Sequence, residues 1–139
     1  MNEVFIDSDI ILDLLQEREP HYRSSVVLFS LIEMKKIKAY TSPVIITNIY
    51  YIAAKLTNRK SALNQVRKLL SFLSVTAIDE KIMLLSMDSG FKDFEDAIQY
   101  NTAKSAGIPF LLTRNKGDYR VSDITVCTAD EYLKIYYQK

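Results

Sequence analysis

Acidic side chains occur where the chain leaves predicted strands or enters a predicted helix. Asp7 follows the first apolar run of the chain, and Asp118 follows a turn after a later one. Asp93 and Asp96 open a predicted helix. Strand ends in an α/β sheet converge on one crevice, so acids far apart in sequence can meet there. Grouped carboxylates need a cation, and oxygen-only ligands favour Mg²⁺ or Mn²⁺ over Zn²⁺. The pattern therefore predicts metal-dependent phosphodiester chemistry.

The first acids of the chain also have structural explanations. Asp7 or the following Ser8 could cap the next helix, but a cap does not account for the acids at equivalent strand ends. Asp9 could orient Asp7 or touch a second metal, and it could equally interact with the helix dipole. Asp13 is interpreted as a solvated helix position.

The second acidic group lies at the start of a later helix. Asp93 and Asp96 are three positions apart and share one helix face, while Glu95 points elsewhere. Acids at a helix N-terminus are common and mildly stabilising, which is the simpler interpretation. Apolar neighbours indicate that this face is partly buried, and burying Asp96 without a cation would be costly. Asp96 is therefore a candidate ligand, and Asp93 stays open between the two interpretations.

A polar turn follows the apolar run at residues 110–112. Thr113, Arg114 and Asn115 place a hydroxyl, a guanidinium and an amide there. These groups suit phosphate contact or hydrogen-bonded support of carboxylates. The alternative is an ordinary turn in which Gly117 supplies a positive φ.

Strands and helices alternate along the chain. Short apolar runs predict strands at residues 4–6, 39–41, 75–78, 109–113 and 125–128. Apolar residues at helical spacing predict helices at residues 8–16, 20–38, 42–56, 61–73, 80–87, 95–106 and 129–137. This alternation predicts a three-layer α/β/α domain with a parallel sheet of about five strands.

Composition narrows the class of protein. With 139 residues, 48% of them hydrophobic and 25% charged, the chain is expected to form one domain over residues 1–139. Its apolar runs are too short for a membrane span, and its first residues lack the pattern of a signal peptide. The one cysteine, Cys127, cannot form an internal disulfide and is expected to be a buried strand residue. A cytoplasmic location is therefore expected.

The net charge of +1 conceals an asymmetry. No Asp or Glu occurs between Met34 and Ile78, and this segment carries eight Lys and Arg residues. Such a segment is suited to attracting phosphate, although a set of solvated helix faces would explain it as well. The candidate RNA contacts, from this segment and from the later turn, are Lys35, Lys36, Lys55, Arg59, Lys60 and Arg114.

Other chemistries find no support in the sequence. His21 is the only histidine and has no Cys or His partners, so a zinc site is not expected. The catalytic serine elbow, the glycine-rich phosphate loop and the Cys-X-X-Cys motif are absent. Tyr50 and Tyr51 could stack on bases, but their apolar helix favours a core or dimer-contact role.

The acids lie in three motifs whose order is informative. The motifs are Phe5-Ile6-Asp7-Ser8-Asp9-Ile10-Ile11-Leu12, Asp96-Ala97-Ile98-Gln99-Tyr100-Asn101-Thr102-Ala103, and Phe110-Leu111-Leu112-Thr113-Arg114-Asn115 followed by Asp118-Tyr119. Together they resemble the PIN domain, a family of Mg²⁺- or Mn²⁺-dependent ribonucleases that includes the VapC-type toxins. The resemblance covers essentially the whole chain.

The resemblance assigns roles to particular residues. It implies that Asp7, Asp96 and Asp118 are the catalytic, metal-binding acids. Thr113 and Asn115 would be supporting polar residues.

One position departs from the family pattern. The family usually has a glutamate on the helix after the second strand, and here the matching residue is Asn48. An amide oxygen can bind Mg²⁺ but brings no charge. Asp9 and Asp93 are the further candidate ligands that could compensate.

The resemblance also implies an activity and partners. The expected activity is an Mg²⁺- or Mn²⁺-dependent endoribonuclease that leaves a 5′-phosphate. A homodimer is expected, as is a small antitoxin that covers the acidic site with an inserted Arg or Lys. One alternative is a catalytically weakened PIN-like module that binds RNA or protein. Another is a haloacid-dehalogenase-type phosphatase, because Asp7-Ser8-Asp9 matches its Asp-x-Asp motif, although Ile11 stands where that family has a polar residue.

Overall fold

One parallel sheet of five strands organises the fold. The computed structural model describes residues 2–119 and 123–138, and the side chain of Asp118 lies outside this description. The strands are β1 (Asn2–Ile6), β2 (Ile37–Thr41), β3 (Leu73–Val75), β4 (Phe110–Leu112) and β5 (Thr125–Cys127). Their order in the sheet is β3-β2-β1-β4-β5, and every pair is parallel. The predicted parallel sheet is confirmed.

Helices cover both faces of this sheet, as the three-layer prediction required. They are α1 (Ser8–Leu15), α2 (Tyr22–Glu33), α3 (Pro43–Leu56), α4 (Arg59–Leu69), α5 (Glu80–Met87), α6 (Phe94–Ser105) and α7 (Ala129–Tyr137). A short 3-10 helix follows β4 at Lys116–Asp118. In the part of the chain that the structure describes, no helix combines the length and apolar character needed to cross a bilayer.

The apolar core is centred on strand β1, the middle strand of the sheet. Val4, Phe5 and Ile6 are fully buried, because helices cover the sheet on both sides. Helix α2 contacts both α1 and α7, and α5 packs against α6. Cys127 is free and buried at the end of β5, as the sequence predicted.

Helix α2 is shorter than its apolar periodicity predicted. It ends at Glu33 rather than near residue 38, and β2 therefore begins at Ile37. Lys35 has a left-handed backbone with φ of 60°. The N–H groups of Lys35 and Lys36 turn back to carbonyls of the last helical turn, which is a common way for a helix to end.

The boundary between α4 and β3 also differs from the prediction. The Asn58 side chain caps α4 by accepting a hydrogen bond from the Ser61 N–H at 2.9 Å, so the helix starts at Arg59. It ends at Leu69, and β3 begins at Leu73 instead of residue 75. The predicted helix therefore ran too far and displaced the predicted strand.

Other boundary signals were correct. Ser42 caps α3, and Pro43 occupies the first turn of that helix. Asp79 caps α5 by accepting a hydrogen bond from the Ile82 N–H at 3.0 Å. Gly107 follows α6 with a positive φ of 71°. Gly117 is not among the positive-φ residues, so that part of the polar-turn interpretation was wrong.

Candidate functional site

The acids lie near the point where the strand order reverses. Strand β1 is flanked by β2 and β4, and an open α/β sheet has its crevice at the carboxyl end of such a pair. Asp7 directly follows β1, and Thr113 directly follows β4. The Asp7 N–H donates to the Leu112 carbonyl at 3.0 Å, so the strand pairing continues up to the acid. The sheet therefore fixes the backbone that carries Asp7.

Asp7 is buried, with 8% of its surface exposed, and accepts several hydrogen bonds. Its Oδ1 accepts from the Ser8 N–H at 2.7 Å, so the predicted helix-cap contact exists. Its Oδ2 accepts from the Thr113 hydroxyl at 3.0 Å and from the Tyr119 hydroxyl at 3.3 Å. Burial, and then the charge of Asp9, raise the pKa of Asp7 to about 6, although these hydrogen bonds oppose the shift. The carboxylate is thus held in place with its charge incompletely compensated.

Asp9 lies against the same turn as Asp7. Its Oδ2 accepts from the Arg114 N–H at 2.8 Å and lies 3.3 Å from the Thr113 hydroxyl, whose shorter contact is with Asp7. Its Oδ1 is buried and has no hydrogen-bond partner among the described residues. Burial raises the pKa of Asp9, and the contacts with Arg114, with the Ile10 N–H and with Thr113 lower it. Asp9 therefore brings a second carboxylate to this edge of the sheet, with one oxygen unsatisfied.

Asp96 joins this group through a tyrosine. It lies in the first turn of α6, and its Oδ1 lies 3.2 Å from the Tyr119 hydroxyl, within hydrogen-bond distance. The same hydroxyl lies 3.3 Å from Oδ2 of Asp7. Tyr119 is buried, and burial together with Asp7 and Asp96 raises its pKa, so the phenol keeps its proton. Residues from β1, α6 and the turn after β4 thus meet at one hydroxyl group.

The structure places Asp93 at the N-terminus of α6, as the simpler interpretation predicted, and its role as a metal ligand stays a prediction. It precedes α6, and its side chain accepts a hydrogen bond from the Asp96 N–H at 3.0 Å. It is therefore the N-cap that fixes the first turn carrying Asp96.

Asn48 contacts the start of α6 instead of the buried acids. Its side-chain nitrogen donates to Oε1 of Glu95 at 2.7 Å. Burial, and then the charge of Asp93, raise the pKa of Glu95, and the hydrogen bond from Asn48 lowers it. The amide that replaces the expected glutamate thus binds another carboxylate at the rim of the site.

Asp13 is not solvated, and its sequence-based interpretation was wrong. It is fully buried and forms a two-point ion pair with Arg114, from Nε to Oδ2 at 2.8 Å and from Nη2 to Oδ1 at 3.0 Å. Both partners lie at the carboxyl edge of the sheet, on α1 and after β4. Arg114 therefore joins the turn to α1. The guanidinium was expected to contact RNA, but two of its nitrogens are already bound to Asp13.

Two predicted residues of the polar turn contribute less to the described site. The backbone N–H of Asn115 donates to the Thr113 hydroxyl at 3.1 Å, while its side chain is on the exposed surface. Asp118 closes the 3-10 helix, but its side chain lies outside the description, so its assignment as a ligand stays a prediction.

Unlike Arg114, the basic candidates Lys35 and Lys36 are separated from the acids. Lys35 and Lys36 immediately precede β2 and so lie at the amino edge of the sheet, opposite the acidic edge. They cannot contact a phosphate bound at the acids. Lys55 lies roughly 18 Å along the axis of α3 from its first residue, at 1.5 Å per residue. Arg59 and Lys60 open the following helix.

The chemistry of the donors fits a hard divalent cation. Asp7, Asp9 and Asp96 offer carboxylate oxygens, the ligand type that Mg²⁺ and Mn²⁺ prefer. The unsatisfied Oδ1 of Asp9 and the raised pKa of Asp7 indicate missing positive charge. Among the described residues, no group of three or more His, Cys, Asp and Glu side chains could hold a metal alone. The side chain of Asp118 is not among these described groups.

Sequence reasoning missed two functional contacts of the site. Tyr119 was noted only as part of a motif, although a tyrosine directly after a predicted ligand was a usable signal. The Asp13–Arg114 pair had a weaker signal, because the two residues are 101 positions apart. Only the predicted neighbourhood of β1 and β4 could have suggested it.

Comparisons with known proteins agree with this geometry. The sequence profile described as PIN domain matches residues 3–117. Ribonuclease VapC1 of Aquifex aeolicus (strain VF5) is 31% identical over 137 residues, covering 95% of this chain and 94% of the relative.

Solved structures share the fold at lower identity. VapC20 of Mycobacterium tuberculosis, described as a sarcin-ricin loop cleaving toxin, superposes with a TM-score of 0.67 at 11% identity, covering 88% of this chain and 98% of that one. A toxin-antitoxin complex from Klebsiella pneumoniae gives a TM-score of 0.64 at 22% identity, with coverage of 88% and 98%. The haloacid-dehalogenase alternative gains no support from these matches. The extent of the profile match and the near full-length relative establish that this chain belongs to the PIN domain family.

Proposed function

We propose that this protein is an endoribonuclease that uses Mg²⁺ or Mn²⁺ and acts as the toxin of a toxin-antitoxin pair. The observation that carries the proposal is the convergence of Asp7, Asp9 and Asp96 around Thr113 and Tyr119. The ribonuclease name of the 31% identical relative supports the reaction class. We also propose a cytoplasmic location, which the free, buried Cys127 supports.

The proposed ligands are Asp7, Asp96 and Asp118, with Asp9 as a further candidate. When bound, the cation supplies a water of lowered pKa and stabilises charge that develops on the phosphate. Each described acid is held in place by the surrounding protein. The Ser8 N–H and the Thr113 hydroxyl orient Asp7. The cap at the start of α6 fixes the backbone of Asp96.

A cleavage assay tests the proposal directly. We expect the purified protein to cut single-stranded RNA in MnCl₂ or MgCl₂, leaving 5′-phosphate ends, and to lose this activity in EDTA. Asp96→Asn should lower the rate by at least about 100-fold, since one ligand charge is lost. The matched control is Asp88→Asn, which removes an exposed carboxylate after α5 and should cleave normally. Equal rates for Asp96→Asn and wild type would refute the assignment.

A second candidate function is a PIN-like binding module with weakened catalysis. Asn48 favours this candidate. The family has an acidic side chain at this position, whereas here the Asn48 amide binds Glu95. Calorimetric titration with MnCl₂ separates the two candidates. Binding by the wild type that Asp96→Asn removes supports the nuclease. No heat at millimolar Mn²⁺ would support the binding module.

We propose that a small antitoxin covers the acidic site with an inserted Arg or Lys and that a helix of the same antitoxin binds the groove between α1, α2 and α4. This groove has a volume of about 560 Å³. Its apolar lining is formed by Leu14, Leu15, Val26, Phe29, Leu69 and Phe72. Glu17, Glu33 and Lys68 lie along the groove, which suits an amphipathic partner. An equimolar antitoxin should inhibit cleavage, and Val26→Asp should relieve that inhibition. Undiminished inhibition of Val26→Asp would exclude this groove.

We also propose a homodimer, supported by exposed apolar side chains on α3 and α5. The largest are Tyr51, Leu56, Leu84, Leu85 and Met87, which are 47% to 67% exposed. Tyr51 is thus not a core residue, and its dimer-contact role stays part of this proposal. Sedimentation equilibrium should show a dimer that Leu84→Glu dissociates. A monomer at all accessible concentrations would contradict the proposal.

A further inference from the structure

Tyr119 occupies a central place among the acids. Its hydroxyl oxygen lies 3.3 Å from Oδ2 of Asp7 and 3.2 Å from Oδ1 of Asp96. These acids belong to different elements, because one follows β1 and the other lies in the first turn of α6. The phenol is therefore a direct link between β1 and α6 at the site.

Aromatic packing fixes the position of this hydroxyl. Tyr119 is 5% exposed, and its ring meets Phe91 edge-on with 5.8 Å between ring centroids. Phe91 in turn stacks on Tyr100 of α6 at 5.4 Å. The backbone N–H of Tyr119 also donates to the Lys116 carbonyl at 3.0 Å. The phenol is thus a preorganised group with little rotational freedom.

The hydroxyl group has one proton and two carboxylate neighbours. It can donate to only one acid at a time, so it cannot compensate both negative charges. It does limit the separation of the two acids. The two contacted oxygens can be no farther apart than 6.5 Å, the value reached when both contacts lie on one straight line. The other oxygen of Asp7 is oriented separately by the Ser8 N–H.

We propose that Tyr119 is a positioning residue for the metal site, whose hydroxyl holds the carboxylates of Asp7 and Asp96 facing one another so that both reach one divalent cation. This inference rests on the proposed function. Groups that hydrogen-bond to ligating carboxylates typically change metal affinity 10- to 100-fold when they are removed. The hydroxyl of Tyr119 acts through the acids and needs no contact with RNA.

The test compares two tyrosine-to-phenylalanine variants by calorimetric titration with MnCl₂. Tyr119→Phe removes the bridging hydroxyl and keeps the ring that packs on Phe91. The control is Tyr132→Phe, because Tyr132 is also buried and its hydroxyl has no partner among the described residues. Tyr119→Phe should weaken Mn²⁺ binding about tenfold, while Tyr132→Phe should bind as the wild type does.

Cleavage assays give a second readout that a general structural defect would not produce. The Mn²⁺ concentration for half-maximal cleavage should rise about tenfold in Tyr119→Phe, while the rate at saturating Mn²⁺ stays near that of the wild type. Equal or tighter Mn²⁺ binding by Tyr119→Phe, beside a wild type that binds, would overturn the positioning role alone. A wild type that binds no Mn²⁺ would overturn the proposed function and this inference together.

Discussion

Two buried acids on one stretch of chain have opposite surroundings. Asp13 is fully buried and meets the guanidinium of Arg114 at two points. Asp7 is buried almost as deeply, but its described partners are a backbone N–H and two hydroxyl groups. The first carboxylate has its cation within the protein, and the second has none among the described residues. Burial alone therefore does not distinguish a structural acid from a candidate ligand; the charge of its neighbours does.

The largest expected effect comes from removing the cation of the structural acid. Arg114→Met leaves Asp13 buried and unpaired, which should lower the free energy of unfolding by on the order of 3 kcal/mol. Urea unfolding monitored by circular dichroism measures this change. The double variant Asp13→Leu with Arg114→Met removes both charges and should recover to within about 1 kcal/mol of the wild type. A single variant as stable as the wild type would mean that the pair has no structural role.

Removing the acid without a described cation partner should instead stabilise the metal-free protein. Asp7→Asn removes a carboxylate whose pKa rises from 3.8 in the unfolded chain to about 6 in the folded protein. At neutral pH this should increase the free energy of unfolding by up to ~3 kcal/mol and abolish cleavage. Stability and activity would then change in opposite directions at one residue.

The pH dependence of stability tests the same explanation. The folded state binds the Asp7 proton more tightly than the unfolded chain does, so the contribution of Asp7 is fully present below pH 3.8. That contribution is lost as the pH rises through about 6. Urea unfolding in EDTA between pH 4 and pH 7 should therefore show a smaller decline for Asp7→Asn than for the wild type. Parallel profiles would refute an uncompensated Asp7.

The smallest effect is expected at a surface pair that resembles Asp13–Arg114 only in its charges. Glu131 accepts from Lys116 Nζ at 2.8 Å and closes a capping box with Thr128 at the start of α7. Glu131→Gln keeps the cap acceptor and loses the charge, so it should cost less than about 1 kcal/mol. Thermal unfolding at low and high salt measures this loss of stability. A cost comparable to that of Arg114→Met would show that burial does not control the strength of these pairs.

Glu131 also has the opposite pH response to Asp7. Lys116 first, and then the Thr128 N–H, lower the pKa of Glu131 from 4.5 to about 2. Its contribution to stability is therefore present above pH 4.5 and is lost as the pH falls toward 2. The side chain is partly exposed, so the change should be small and screened by salt.

Much of the site could be predicted because its residues directly follow strands of one parallel sheet. Apolar runs located β1 and β4, and parallel strands bring the residues that follow them together. That reasoning was sufficient to place Asp7 beside Thr113, a pair 106 positions apart. The fold class followed from the same alternation of strands and helices.

Pairing between side chains could not be predicted in this way. Asp13 has the spacing of an ordinary helix residue, and its burial depends on Arg114 reaching back from the turn after β4. Lys35 and Lys36 show a different failure, because a basic run in the sequence does not reveal which edge of the sheet it reaches. Their position just before a strand was nevertheless a signal that they lie away from the acids.

The attachment of Arg114 to α1 makes the two walls of the site unequal in mobility. One wall, formed by α1 and the turn after β4, is joined by a buried ion pair and by the contact between the Arg114 N–H and Asp9. The other wall, α6, is joined through hydrogen bonds to Tyr119, to Asn48 and, from Ser42, to Gln99. The ion pair that α6 makes, between Lys104 and Asp123, is exposed and therefore weaker than the buried pair of the first wall. Opening on the α6 side is therefore the less costly direction for a substrate to enter. Amide hydrogen exchange should accordingly be faster in the first turn of α6 than at Arg114, and the reverse order would exclude this route.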